Sequence, residues 1–332
     1  MTKKAGSIRD VARETGLSIA TVSRVMNDAR NVSPATRDRV LQACRELDYL
    51  PNPAARALST ARSRTIAAII PTIEHSIYAK YVAAIEQTLG ARGYALVLAI
   101  SNADPQSELK SARKLLGMGA QAFILSGAVH SPELGALLTR RNVPFVFTST
   151  WDDASSTPTI GYDNAALAGD AVGYLHRRGH RDIAVLHGPL GESDRTCARC
   201  AGARAVSMQG PTLTFFETTL DVAGGRSAGE RVLDLERRPT AILCFSDVLA
   251  LGAYFALAHA GLGVPDDMSV MGFDNLDWSA AAVPALTTID LPARVMGETV
   301  AAQLMAHLEG GAPITPLQLG GRIIERDSVA DR

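Results

Sequence analysis

Apolar residues recur along the first fifty positions at spacings of three and four, the period of a helix. Ile8, Val11 and Ala12 form one stripe. Ser7 before them is a candidate N-cap, Asp10 stands where a capping box needs a carboxylate, and Gly16 suits a left-handed stop. Leu17 is expected under the turn, with Ser18 capping a second helix. There Val22, Val25 and Met26 face inward, while Ile19, Ala20, Ser23 and Arg24 stay outside. Ser33-Pro34 opens a third helix whose inward positions read as Val40, Leu41, Cys44 and Leu47. Ser7 to Asn27 thus reads as a helix-turn-helix, whose second helix can enter a DNA major groove N-terminus first. A solvated helical hairpin is the plainer alternative. Three helices in so short a span enclose a core too small to be robust alone.

Tyr49-Leu50-Pro51-Asn52-Pro53 reads as a rigid connector. The following AARALSTARSR permits a helix but is too short to hold one alone in water. Composition leaves Leu58, at its centre, evenly balanced between a stray linker leucine and a contact residue.

From Thr65 the pattern changes to continuous apolar runs alternating with helical stretches. TIAAIIP, YALVLAI, QAFILSG and VPFVFTS alternate with helices over 77–92 and 106–118 and a shorter one before VPFVFTS, and the strand-like TPTI follows. DIAVLHG, LTFFE, TAILCFS, MSVMGFD and ALTTIDL alternate with helices over 164–178, 195–207, 225–235 and 247–260, and a long helix over 294–309 follows. Strands apolar on both faces, separated by helices, predict parallel sheets covered on both sides. The fold class is therefore a small all-α head plus an α/β body of two doubly wound subdomains, each of some five strands. Ligands of such sheets bind outside the strand C-termini. The residues there are Pro71 to Tyr78, Ser126, Ser149 to Asp152, Gly188 to Arg199, Ser246-Asp247 and Asp274-Asn275. Their carboxylates, hydroxyls, arginine and aromatics suit a small polyhydroxylated ligand.

The chain has 332 residues, enough for two or three packed units. Its net charge is −1, unevenly spread: residues 1–64 carry twelve Lys+Arg against six Asp+Glu. A basic head on an acidic body is the electrostatic footprint of nucleic-acid binding by the head. No apolar N-terminal segment or membrane-length run is present, so a cytoplasmic protein without membrane contact is expected. Cys44, Cys197, Cys200 and Cys244 are too few and scattered for a disulfide framework.

Four signals compete with a binding protein. Gly225-x-Ser227-x-Gly229 matches a hydrolase elbow, but the polar segment before it is no strand. Cys197-x-x-Cys200 lacks the second pair a zinc site needs. His75 is a lone histidine in a polar cleft, better read as a hydrogen-bonding group than a metal ligand. Asp274 and Asp247 lack a nucleophile or metal beside them, which leaves ligand binding for the first and helix capping for the second. No enzyme, cofactor or metal site is expected.

The stretches IRDVARETGLSIATVSRVMN, YLPNPAARALS and VMGFDNLDWSAAAVPALTTIDLP, in that order, resemble the lactose-repressor (LacI/GalR) family of transcription regulators. The resemblance covers essentially the whole chain. It implies a DNA-binding domain over 1–50, a hinge over 51–64 and an effector-binding, dimerising body over 65–332. The body divides into lobes of about 65–162 plus 292–318 and about 163–291 plus 319–332. Operator bases would be read by Ile19, Ala20 and Arg24, with Ser7, Thr21, Ser23 and Asn27 on phosphates and Leu58 wedged into the minor groove. The effector would meet Pro71, His75, Ile77, Tyr81, Ser149, Tyr162, Arg199, Ser246 and Asp274. The implied protein is a repressor of carbohydrate-related genes, a homodimer on a pseudo-palindromic operator, released by a sugar or sugar derivative; a co-repressor-dependent regulator or a bare sugar-binding protein is the alternative. Three positions depart from the family pattern. Cys197 replaces a frequent arginine, with Arg195 nearby. Leu220 falls near a position that is aromatic in some sugar binders, and Ser246 replaces a common asparagine.

Overall fold

The computed structural model describes residues 6–26, 32–50, 63–74, 76–208 and 210–332. They fall into two compact units, within Met1–Arg64 and Thr65–Arg332. Asn27, Leu58, His75 and most of the expected hinge lie outside the described residues.

Among the described residues, the first unit holds three helices: α1 (Ile8–Thr15), α2 (Ile19–Met26) and α3 (Pro34–Glu46). Ser7 caps α1 by a reciprocal box: its Oγ accepts from the Asp10 amide at 3.3 Å, and Asp10 accepts from the Ser7 amide at 3.0 Å. Gly16 stops the helix at φ +58°, where a side chain would be strained. Ser18 Oγ accepts from the Thr21 amide at 3.1 Å and starts α2. Val11, Val22 and Val40 are fully buried, with Val25, Ala43 and Cys44 around them. One expected core position is wrong: Leu41 is exposed and Ala43 takes its place. Positions 40, 43, 44 and 47 share one helical stripe, and 41 lies about 100° away from 40.

The second unit contains two six-stranded sheets. The first is ordered β11-β5-β4-β3-β1-β2, with β1 (Thr65–Ile70), β2 (Ala95–Ile100), β3 (Ala122–Ser126), β4 (Phe145–Thr148), β5 (Thr159–Gly161) and β11 (Leu317–Gln318). The second is ordered β12-β10-β9-β8-β6-β7, with β6 (Asp182–His187), β7 (Thr212–Glu217), β8 (Ala241–Cys244), β9 (Ser269–Phe273), β10 (Thr287–Asp290) and β12 (Arg322–Ile324). Every pairing is parallel except β10 with β12. The alternation of strand and helix dictates this, because parallel neighbours need a crossover.

Helices cover both faces of each sheet. On the first sheet, α5 (Pro105–Gly117) and α6 (Pro132–Arg140) bury Leu109, Leu115, Leu134 and Leu138 against Ala67, Ile69, Phe123 and Leu125. The opposite face takes α4 (Ser76–Gly90) and α11 (Ala293–Gly310). On the second sheet, α7 (Asn164–Arg177) and α8 (Asp194–Ser207) cover one face, and α9 (Val222–Leu233) and α10 (Asp247–His259) the other. The chain passes between the sheets after Gly161, after Asp290 and between β11 and β12. Strands β11 and β12 carry no strand signal in the sequence, because two or three exposed or half-buried residues leave no period to read.

Candidate functional site

A cavity of about 580 Å³ opens where the C-terminal ends of both sheets face each other. Its wall is made by the residues that follow β1, β4, β5, β6, β8 and β9, because parallel sheets deliver all their strand ends to one edge. Pro71, Ile77, Tyr81, Ser149, Tyr162, Arg199, Ser246 and Asp274 all line it.

Arg199 projects from α8 and is buried. Its Nε donates to Asn164 Oδ1 at 3.0 Å and its Nη1 to the Phe245 carbonyl at 2.7 Å, while the guanidinium carbon lies 4.0 Å from the Phe273 ring centroid. Asn164 is itself held by donating to the Ser149 carbonyl at 3.0 Å. Asn164 thus ties the first lobe's β4 end to the arginine, a role sequence reasoning missed. The signal available was its place directly after Gly161-Tyr162-Asp163, at a crossing between the sheets. Burial lowers Arg199 below the usual arginine range, opposed mainly by the Asp274 carboxylate.

Asp274 follows β9 with φ at +123°, and Ser149 follows β4 at +66°; both are non-glycine residues held in strained backbone at the cavity wall. Ser246 Oγ donates to Asp274 Oδ2 at 2.8 Å. Burial pushes the Asp274 carboxyl up to about 7; Arg199 pulls it down, the Asp247 carboxylate adds to the rise and the Ser246 hydroxyl offsets part of it. Asp247 does not cap its helix. Ser246 does, accepting from the Val248 amide at 3.3 Å. The Asp247 carboxylate, fully buried, accepts from the Leu276 amide (2.8 Å), Ser279 Oγ (2.5 Å) and Thr288 Oγ1 (2.6 Å). It clamps the loop that presents Asp274, a contact between positions too far apart in the chain for local sequence to signal.

Tyr81 spends its hydroxyl on Thr148 Oγ1 at 2.8 Å, so it offers the cavity a ring rather than a donor. Burial pushes the Tyr162 phenol up to about 12, so it stays a neutral donor and acceptor between the two arginines and Asp274. Arg195 also lines the cavity, whereas Cys197 does not. Cys197 Sγ donates instead to the Leu190 carbonyl at 3.2 Å, and Cys200 is buried. Among the described residues no His/Cys/Asp/Glu group could hold a metal ion. Ser227 lies inside α9, with no strand leading into it.

Two polar ties cross the mouth of the cleft. Asp194 on α8 accepts from the Ala128 and Val129 amides of the first lobe. Lys80 on α4 donates to the Asn275 carbonyl at 2.9 Å and pairs with Asp277 at 2.8 Å. Lys80→Met is expected to loosen the loop behind Asp274, raising hydrogen exchange over 274–277 and costing several-fold in ligand affinity. Unchanged exchange there would remove Lys80 from the closure.

On the head, α2 presents Ile19, Ala20 and Arg24 to solvent, with Thr21 and Ser23 half-buried beside them. The Ser7 amide and hydroxyl both donate to Asp10, at 3.0 and 2.7 Å, so both donors expected for phosphate are engaged in the helix cap.

Residues 7–52 match bacterial regulatory proteins of the lacI family, and residues 172–329 match a periplasmic binding protein-like domain. The HTH-type transcriptional repressor PurR of Salmonella paratyphi B is 33% identical over 338 residues, covering 98% of this chain and 97% of the relative. The lac repressor dimer bound to operator and the anti-inducer ONPF superposes with a TM-score of 0.87 at 28% identity, covering 98% of this chain and all of that one. The transcriptional regulator CelR in complex with cellobiose has a TM-score of 0.69 at 26% identity, covering 97% and 99% of the two chains.

Proposed function

We propose that this chain, which belongs to the lacI family of bacterial regulatory proteins, represses carbohydrate-related genes and releases its operator when a small sugar-like effector enters the cleft. The head over 1–50 binds DNA, residues 51–64 form the hinge, and 65–332 bind effector and dimerise. A homodimer on a pseudo-palindrome follows from the need to place two heads one helical turn or a multiple apart. Its work lies with the chromosome in the cytoplasm, and it catalyses no reaction. Two of these relatives are named repressors, one of them bound to operator DNA, and the third is a transcriptional regulator in complex with cellobiose.

One observation carries this reading. Eight residues expected at an effector site, drawn from positions 71 to 274, meet around one cavity between two lobes. Closing the lobes on a ligand changes their relative placement and hence the spacing of the heads that they carry. The ligand must favour one dimer state to do so, since equal affinity for both shifts nothing. A thermal-shift screen of sugars, sugar acids and nucleosides, followed by operator release with each hit, tests it. Tighter operator binding with ligand would make the effector a co-repressor, and turnover of the ligand would make the protein an enzyme.

On the DNA side, Arg24 at the exposed face of α2 is assigned the bidentate contact to a guanine. Arg24→Ala is expected to cost about 1–3 kcal/mol at one operator base pair and to relax the preference there. Competition against all four bases at each position reads this directly. Retained preference at every position would take Arg24 out of base readout.

A further inference from the structure

Arg195 and Arg199 stand one turn apart on α8, and both line the cavity. Their burial is nearly complete: the Arg195 side chain is 11% exposed and Arg199 is 8% exposed. A guanidinium taken out of water is costly unless an anion meets it. The partners of Arg199 described above are neutral: an amide oxygen, a carbonyl and an aromatic ring. The carboxylate acting on it most strongly, Asp274, is held near half-ionisation at neutral pH by its own burial.

Arg195 has a carboxylate, Asp194, at 3.0 Å, but that group is divided among several donors. It also accepts from the Arg195, Ala128 and Val129 amides. Its task is to hold Arg195 in place, against Gly127, where a Cβ would come within 2.8 Å of Nη1. The remaining acids of the wall, Glu74, Glu192 and Asp221, are exposed and screened by water. The N-terminus of α8, with Ser193 and Thr196 on the cavity wall, adds a positive helix end. Among the buried side chains that line the cavity, two guanidiniums therefore face one carboxylate, Asp274, while Asp194 and Asp247 lie outside that lining and are held by protein donors.

We infer that the effector carries an anionic group, a carboxylate or a phosphate, beside its hydroxyls, and that Arg195 selects for it. The inference rests on the cavity being the effector site. Asp274 and Ser246 take the hydroxyls, as in the reading above, while Arg195 and the α8 N-terminus take the charge. A hexose-sized acid fits within the 580 Å³.

The test is calorimetry on the full-length protein with matched pairs: aldonates against alditols, uronates against aldoses, and sugar phosphates against the parent sugars. The anionic member of at least one pair is expected to bind about 30-fold more tightly than its neutral partner, the size of a charge-assisted contact. The carboxylate and phosphate arms identify which group is read. Arg195→Gln should cut the preference below about threefold, and Arg195→Lys should keep part of it, which a purely structural role would not produce. If neutral members bind as well as or better than anionic ones, the charge inference falls and the effector site stands. If no member of any pair binds, both fall. The wild-type comparison decides the matter even where a variant fails to fold.

Discussion

Asp274→Asn is expected to raise the melting temperature of the ligand-free protein at pH 8 and to leave it unchanged at pH 4. The carboxyl is buried and its pKa is pushed from 3.8 to about 7. Between those values the folded protein holds a proton that the unfolded chain has lost. Stability therefore falls as pH rises from about 4 to about 7, and the penalty is complete above that. The gap corresponds to roughly 4 kcal/mol at 1.36 kcal/mol per tenfold change. The attraction to Arg199 is already contained in that balance. Asparagine keeps the shape and a partner for Ser246 but never ionises, so the gain should approach roughly 5–10 °C at pH 8. Melting both proteins across pH 4 to 8 isolates this group and the charges coupled to it, since the titrations of uncoupled groups cancel in the difference. A shift of equal size at both ends would exclude the buried carboxylate as its source. The variant should at the same time lose at least about tenfold in effector affinity, because an amide offers one acceptor where a carboxylate offers two. A residue kept at such a cost to stability, in strained backbone, is the signature of a binding group rather than of packing.

The second large effect separates two readings of one motif. Gly225→Ala is expected to destabilise the body by about 3 kcal/mol or more, while Ser227→Ala should change stability by less than about 0.5 kcal/mol. Helices α9 and α10 cross with their backbones in contact. A Cβ on Gly225 would sit 2.4 Å from the Leu249 carbonyl oxygen, and one on Gly252 would sit 2.3 Å from that of Val222. Main-chain atoms locked in two helices cannot move aside as a side-chain tip can. Ser227 points to solvent on the opposite face. Chemical denaturation of the two variants gives the comparison. A large loss for Ser227→Ala with none for Gly225→Ala would overturn the packing account.

That motif shows where local reading stops. Glycines at 225 and 229 have the spacing of a nucleophile elbow and also that of a tight helix crossing; the polar segment before them argues against the elbow, but no nearby residue shows the crossing. The crossing is established by Leu249 and Ala256, on the next helix. Asp247 is a similar case. At the start of a helix it looks like a cap, yet its carboxylate serves residues at 276, 279 and 288, and Ser246 does the capping. Leu41 differs for a smaller reason: it is apolar and lies in an amphipathic helix, but one position off the buried stripe.

Features that depend on neighbours along the chain are legible without coordinates. Strands apolar on both faces and separated by helices permit only covered parallel sheets. Ser7, Asp10 and Gly16 bound a helix by chemistry within ten residues, and the strand ends can be listed without coordinates. These follow from backbone geometry and from a period repeated several times over. It takes the assembled fold to show which of the strand-end residues meet, how Asn164 links Ser149 to Arg199, and how burial brings Arg195, Arg199 and Asp274 together on one wall. Those are consequences of desolvation and of contacts between residues tens of positions apart. A side chain's environment inside a cleft belongs to the assembled walls, and no single stretch of chain contains it.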